Sequence, residues 1–171
     1  MTQVEVRPRD PQDIPPLAAV LRRVYAADGY PVEGIAMAEG WLSPPGELAA
    51  WTAIADGAAV AHVSVGVADP SDAISRVWSQ TTGQDADCLI VPARLFVDPL
   101  ARSLGIGGRL MSEVARYAAR TGRPIAFDVM LKDRAAIRLY ERAGCIRIGE
   151  FDYTHSDGQT ERAAVYAVPG P

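Results

Sequence analysis

Apolar and polar residues alternate from Gln3 to Arg7, the period of a strand with one buried face. Arg7-Pro8-Arg9-Asp10-Pro11 breaks that strand. Ile14, Leu17, Val20, Leu21 and Val24 then recur at helical spacing, with Asp13 as the expected N-cap and Ala27–Gly29 as the stop. Residues 28–47 carry Gly29, Pro31, Gly34, Gly40, Pro44, Pro45 and Gly46, which predicts a mobile connection with a short helix around Ile35–Trp41. Trp51–Ala55 and Ala58–Val67 flank Asp56-Gly57, a strong hairpin signal. Asp69-Pro70 ends the second of these strands. A helix through Ala73, Ile74, Val77 and Trp78 follows, capped by Ser71 or Asp72 and closed at Thr82-Gly83.

Leu89–Val97 is nearly all apolar, as expected of a strand covered on both faces, with Pro92 marking a bulge or the strand's entry. The spacing of Leu110, Met111, Val114, Tyr117 and Ala118 predicts a helix from about Leu104 to Thr121. Ile125–Val129 reads as a strand and Asp133–Ala143 as a helix stopped by Gly144. Ile146–Thr154 and Glu161–Val168 form a last hairpin around Ser156-Asp157-Gly158. Hairpins mixed with helical crossovers imply a mixed α/β (α+β) fold: about seven mostly antiparallel strands with helices packed on them.

The chain has 171 residues, a length that suggests one domain over 1–171. It is 49% hydrophobic, ordinary for a globular protein that needs no metal or disulfide to fold. With 17 Lys+Arg against 21 Asp+Glu, the net charge of −4 argues against sequence-independent nucleic-acid binding. No stretch approaches the ~20 apolar residues of a membrane helix. The opening MTQVEVRPRDPQD has no apolar core, so no signal peptide is expected, and a cytoplasmic location is. Cys88, Cys145, His62 and His155 show no metal-ligand spacing, so no metal is expected and the cysteines read as small thiols.

Candidate chemistry lies in Arg102-Ser103-Leu104-Gly105-Ile106-Gly107-Gly108-Arg109, between a strand and a helix. Glycines allow tight turning and close backbone approach, and the first amides of a helix are an anion site. Diphosphate is the natural guest. Gly108-Arg109-Leu110 lacks the Lys-Ser/Thr of a nucleotide-hydrolysing phosphate loop, and Gly105-x-Gly107-Gly108 misses the dinucleotide spacing.

The segment from Leu95 through Asp98-Pro99 to Arg102-x-x-Gly105-x-Gly107 resembles the acetyl-CoA signature of the GCN5-related N-acetyltransferase (GNAT) family. Asp133-x-x-Ala136-x-x-x-Tyr140, followed by Gly144-Cys145, resembles that family's second signature, usually Asn-x-x-Ala-x-x-x-Tyr with Gly-Phe after it. The resemblance covers nearly the whole chain in element order. It implies acetyl-CoA as co-substrate and a primary amine of a small molecule or peptide as acceptor, with direct attack in a ternary complex. It implies that Leu95, Phe96 and Val97 run along the pantetheine arm. It also implies that amides from Arg102, Ser103, Leu104, Gly105, Ile106, Gly107 and Gly108 hold the diphosphate, and that the cofactor enters where Leu89–Val97 and Ile125–Val129 splay apart. Tyr140, one helical face with Asp133 and Ala136, becomes the group that hydrogen-bonds or protonates the leaving thiolate. An N–H near Val97 becomes the oxyanion donor.

The strand from Cys88 to Val97 carries no Asp or Glu, where some family members place a base. Glu33, Glu39, Glu47, Asp98 and His62 remain as candidates, alongside water relaying protons to bulk. Asp133 in place of Asn keeps acceptor oxygens and an N-cap role but loses the amide donor. Arg94, inside an apolar strand, either pairs with a buried acid or faces a carboxylate on the substrate. Tyr30 and Trp41 serve equally as pocket lining or packing anchors, and the Asp72–Asp87 insertion reads as a lid or a surface helix. The rival readings are a non-catalytic CoA-binding module and a transferase of another acyl group. The exposed edge of the last hairpin is compatible with a homodimer.

Overall fold

The computed structural model describes residues 2–169 as a mixed α/β fold. In chain order its strands and helices are β1 (Val4–Pro8), α1 (Ile14–Asp28), α2 (Ala38–Leu42), β2 (Glu47–Ala55), β3 (Ala58–Val67), α3 (Ala73–Thr82), β4 (Ile90–Val97), α4 (Ile106–Thr121), β5 (Ala126–Met130), α5 (Arg134–Arg142), β6 (Ile146–Thr154) and β7 (Thr160–Ala167). The seven strands form two ladders, β1-β2-β3-β4 and β5-β7-β6, instead of one continuous sheet. No helix among the described residues is long and apolar enough to cross a membrane, and Cys88 and Cys145 are free thiols.

The chain divides into two compact units that interleave along the sequence. The first comprises Met1–Gly66 and Pro92–Val114. Its β2–β3 hairpin turns at Asp56 and Gly57, both with positive φ (48° and 84°), the backbone whose twist matches the flanking strands. Leu17, Ala18, Val20, Leu21 and Val24 of α1 form the expected apolar stripe, which packs with Ala38 and Leu42 of α2 and Phe96 of β4. Tyr30, Ile35 and Trp41 pack against that core, so the Gly/Pro-rich connection is anchored by its aromatics.

Asp13 does not cap α1. Pro15 and Pro16 occupy the first turn and have no N–H to offer, so a capping carboxylate there has nothing to accept. Asp10 instead caps the short 3-10 turn Pro11–Asp13, accepting the Gln12 N–H at 2.8 Å. The Asp13 carboxylate takes both arms of Arg7, each at 2.8 Å.

The second unit comprises Val67–Val91 and Ala115–Pro171. Helix α3 is N-capped by Asp72, whose side chain accepts the Ser75 N–H at 2.7 Å. It buries Ile74 and Trp78 in a core with Ala68, Leu89, Ala126 and Val165. The Thr81 hydroxyl donates to the Ile148 carbonyl of β6 at 2.9 Å. Next to it a Cβ on Gly149 would stand 2.6 Å from Val77 Cγ1. The Asp72–Asp87 insertion therefore belongs to the unit's core. A single parallel bridge joins Ile90, at the start of β4, to Ile125, just before β5.

Candidate functional site

In the first unit, β4 runs into a 3-10 turn, Pro99–Ala101, capped by Asp98, which accepts the Leu100 N–H at 3.1 Å. Burial opposes the Asp98 charge, but the Arg23 guanidinium and the Leu100 amide outweigh it and hold the carboxyl below its usual range. Ser103 and Gly105 then both adopt left-handed backbone, φ 72° and 70°, and deliver the chain into α4 at Ile106. The first bond into the helix runs from the Arg109 N–H to the Gly105 carbonyl at 3.2 Å. The amides of Ile106, Gly107 and Gly108 precede it and have no helical acceptor, at the end where the helix dipole is positive. Ile106 is buried and pins the turn, while Ser103, Leu104 and Gly105 are exposed. Free amides at a helix start are the kind of group that binds an anion. Arg102 lies beside them in an exposed ion pair with Asp28 at the end of α1. Arg109 donates to the Val4 carbonyl at 3.0 Å. Both arginines are thus tethered at the loop's edge.

Along β4, Phe96 is buried, whereas Leu95 and Val97 are half-buried. Arg94 breaks the strand's regularity with φ 56°, a left-handed conformation sparsely populated by residues with a side chain. A buried polar chain holds it there. Glu47 accepts both arms of Arg9, at 2.6 and 3.1 Å. Arg9 Nη1 also lies 3.0 Å from His62 Nε2 and 2.5 Å from the Leu42 carbonyl. A guanidinium only donates, so His62 Nε2 accepts and Nδ1 carries the proton, donating to the Arg94 carbonyl at 2.9 Å. Burial, reinforced by the Arg9 and Arg94 charges and opposed by that carbonyl, lowers the His62 pKa to about 4. The ring stays neutral and stacks on Phe96 at 5.6 Å.

The base candidates of this unit stand in different surroundings. Glu47 and Asp98 are committed to arginines. His62 is locked between two partners. Glu33 and Glu39 are exposed to solvent.

In the second unit, Asp133 stands at the start of α5 with its side chain making no capping hydrogen bond, contrary to the N-cap role expected of it. Its φ,ψ of −85°, 65° is not the extended backbone from which a side chain reaches back to the first helical amides. Its charge instead acts on Tyr140. Burial first, then the neighbouring acidic groups of Asp133, Cys145 and Asp128, push the Tyr140 phenol above its ordinary pKa, so it keeps its proton. The Tyr140 ring meets Phe127 of β5 edge-on at 4.4 Å and Tyr166 of β7 at 6.4 Å. Tyr166 is itself fixed, donating to Glu141 at 2.9 Å. The Tyr140 hydroxyl makes no hydrogen bond to any described residue.

Asp128, next to Phe127, is the group that the strand pattern passes over. Burial, with the Asp72 charge adding, pushes its carboxyl above the usual range. No arginine, lysine or hydroxyl of the described residues pairs with its side chain. A lone acid in the apolar run Ile125–Val129 is the signal that could have found it. Among the described residues no group of three or more His, Cys, Asp or Glu could hold a metal ion.

Residues 17–145 match the Acetyltransferase (GNAT) family. The chain belongs to that family. No curated protein matches it significantly. Solved structures share the GNAT fold over nearly the full chain. An N-acetyltransferase from Staphylococcus aureus Mu50 has 15% identity and a TM-score of 0.73, covering 97% of this chain and 98% of that one. NAA60 from Arabidopsis thaliana in complex with acetyl-CoA has 20% identity and a TM-score of 0.71, covering 97% and 98%. The ribosomal-protein-S18-alanine N-acetyltransferase from Escherichia coli has 17% identity and a TM-score of 0.65, covering 98% and 94%. At these identities the likeness is one of fold. Within this GNAT chain, Leu95, Phe96, Val97 and the Arg102–Gly108 loop belong to the first unit, and Asp133 and Tyr140 to the second.

Proposed function

We propose that this GNAT protein is an N-acetyltransferase that moves the acetyl group of acetyl-CoA to a primary amine of a small molecule or peptide, by direct attack in a ternary complex. The observation that carries the reading is the run of helix-start amides at Ile106, Gly107 and Gly108, opened by the left-handed Ser103 and Gly105. Bound acetyl-CoA supplies an activated thioester carbonyl. The chain's own residues would do the rest. Amides of Arg102, Ser103, Leu104, Gly105, Ile106, Gly107 and Gly108 hold the diphosphate by hydrogen bonds at the positive helix end. The backbone of Leu95, Phe96 and Val97 holds the pantetheine arm.

Tyr140 holds a proton at its hydroxyl. Because burial raises its pKa, it serves the departing sulfur as a hydrogen-bond donor that need not give the proton up. A free amine is protonated at neutral pH, with a pKa near ~10, and must lose that proton to attack. In this reading Asp128 accepts that proton. A carboxyl raised by burial is a stronger base than an exposed one, which is the direction proton abstraction needs. A carboxyl and a phenol in one unit, neither bonded to another side chain, support the catalytic reading over a non-catalytic CoA-binding module.

Calorimetry with acetyl-CoA, with ATP and NAD as controls, tests the reading. Selective acetyl-CoA binding, lost in Gly105→Asp, is expected. That substitution adds a side chain at φ 70° and a negative charge at the anion cradle. Failure of acetyl-CoA to bind, or equal binding by Gly105→Asp, overturns it. A thiol-release screen against amines then measures transfer, and mass spectrometry of the product identifies the acyl group.

A further inference from the structure

Arg94 is a half-buried charged residue in the middle of an apolar strand, a place where a partner for its charge is expected. A buried acid would be one, but none takes that role among the described residues. Glu47 is held by Arg9, Asp98 by Arg23 and Asp13 by Arg7. Arg94 instead donates from Nε to the Trp41 carbonyl at 2.6 Å and lies over the Trp41 ring, 5.1 Å from its centroid. The Trp41 ring is braced in turn by Tyr30, edge-on at 5.7 Å, and by Phe96 at 6.3 Å. These contacts occupy the face of the guanidinium and one of its five N–H groups. Its Nη1 and Nη2 ends, the fork that matches a carboxylate, bond to no described residue.

The backbone is held as firmly as the side chain. A non-glycine residue at φ 56° within a strand persists only where its surroundings over-determine it, and such residues cluster at ligand sites. Here the His62–Arg9–Glu47 chain grips the Arg94 carbonyl. The same strand continues directly into Leu95, Phe96 and Val97, the residues assigned above to the pantetheine arm.

We propose that Arg94, held over the Trp41 ring, binds a carboxylate of the acceptor, so that the acceptor is an amine that also carries a carboxylate, such as an amino acid or a peptide with a free carboxyl end. The assignment rests on the acetyltransferase reading. Its guanidinium would take the two carboxylate oxygens through Nη1 and Nη2 while the aromatic shelf of Trp41 and Tyr30 receives the apolar part of the acceptor.

The test compares matched acceptors that differ only in the carboxylate: tryptophan with tryptamine, phenylalanine with phenethylamine, and lysine with cadaverine. Thiol release from acetyl-CoA is measured on the full chain. We expect at least one carboxylated member to exceed its partner in kcat/KM by roughly 10- to 100-fold, the range of a charge-assisted hydrogen bond. Arg94→Gln should bring that ratio towards one, mainly through KM. Arg94→Gly suits the left-handed backbone and should do the same, which separates loss of the fork from loss of the fold. Equal rates within every pair, no turnover of any carboxylated member, or a ratio kept in both variants overturns the proposal. If acetyl-CoA binds in calorimetry while these results hold, the acetyltransferase reading stands and only the carboxylate assignment falls. If acetyl-CoA does not bind, both fall.

Discussion

His62 in the first unit and the Tyr140–Asp128 pair in the second are polar groups held in different ways. In the first, His62 is fully buried and completely satisfied, with Arg9 on one nitrogen, the Arg94 carbonyl on the other, and Glu47 closing the chain behind Arg9. In the second, Tyr140 and Asp128 are half-buried and take no hydrogen bond from a neighbouring side chain, while Phe127 packs edge-on against the Tyr140 ring. A satisfied buried group contributes a fixed geometry, and breaking it exposes the full desolvation cost of its partners. A half-buried group with no side-chain partner can bond water and can exchange that water for a ligand. On that contrast the first unit's network fixes a geometry, and the second unit's pair keeps hydrogen-bonding capacity for a ligand.

The contrast can be broken most directly at Arg9. Arg9→Met removes the cation between a nearly buried Glu47 and His62, and should cost about 3–5 kcal/mol in denaturant unfolding. The wild-type network also carries a pH signature. His62 titrates at about 4 when folded, against about 6.5 in an open chain. As pH falls below about 6.5 the unfolded chain takes up the proton first, so stability present above that pH is lost progressively down to about 4. The loss amounts to about 3 kcal/mol at most. Melting temperature followed across that window should fall in the wild type and fall less in His62→Gln.

Tyr140→Phe should leave the fold and acetyl-CoA affinity intact while lowering turnover by about 100-fold, read as a fall in kcat with an unchanged dissociation constant. Unchanged turnover would return Tyr140 to the scaffold. Asp128→Asn should lower kcat/KM by about tenfold. The raised carboxyl must lose its proton before it can accept one, so wild-type activity climbs with pH through that raised value. The Asn variant should lack that limb of the pH–rate profile. The smallest expected effect concerns packing alone. Gly149→Ala would place its Cβ 2.6 Å from Val77 Cγ1 and should destabilise by about 1–2 kcal/mol in thermal melts, with Val77→Ala in the same chain restoring most of the loss.

Much of the candidate site is legible along the chain. The glycine spacing from Gly105 to Gly108 marks the anion cradle because positive φ and free helix-start amides are local properties of a few residues. Tyr140 is legible because i, i+3 and i+7 share a helical face with Asp133 and Ala136. Asp128 is not, because an acid in an apolar strand looks the same whether a distant arginine neutralises it or nothing does. The same ambiguity hides the failure of Asp13 as a cap less well: Pro15-Pro16 already removes the donors it would need.

Sequence alone determined the order of helices and strands, the Asp56-Gly57 turn and the loop into α4, since periodicity, proline and left-handed backbone act over a handful of residues. Only the tertiary structure decided which charges are spent and which remain free. Arg9 finds Glu47 38 residues away and His62 53 away, and Arg94 finds the Trp41 carbonyl 53 away. Such pairings depend on how the chain returns on itself in space, which is why Arg94 and Asp128 become informative only once every neighbouring partner has been assigned.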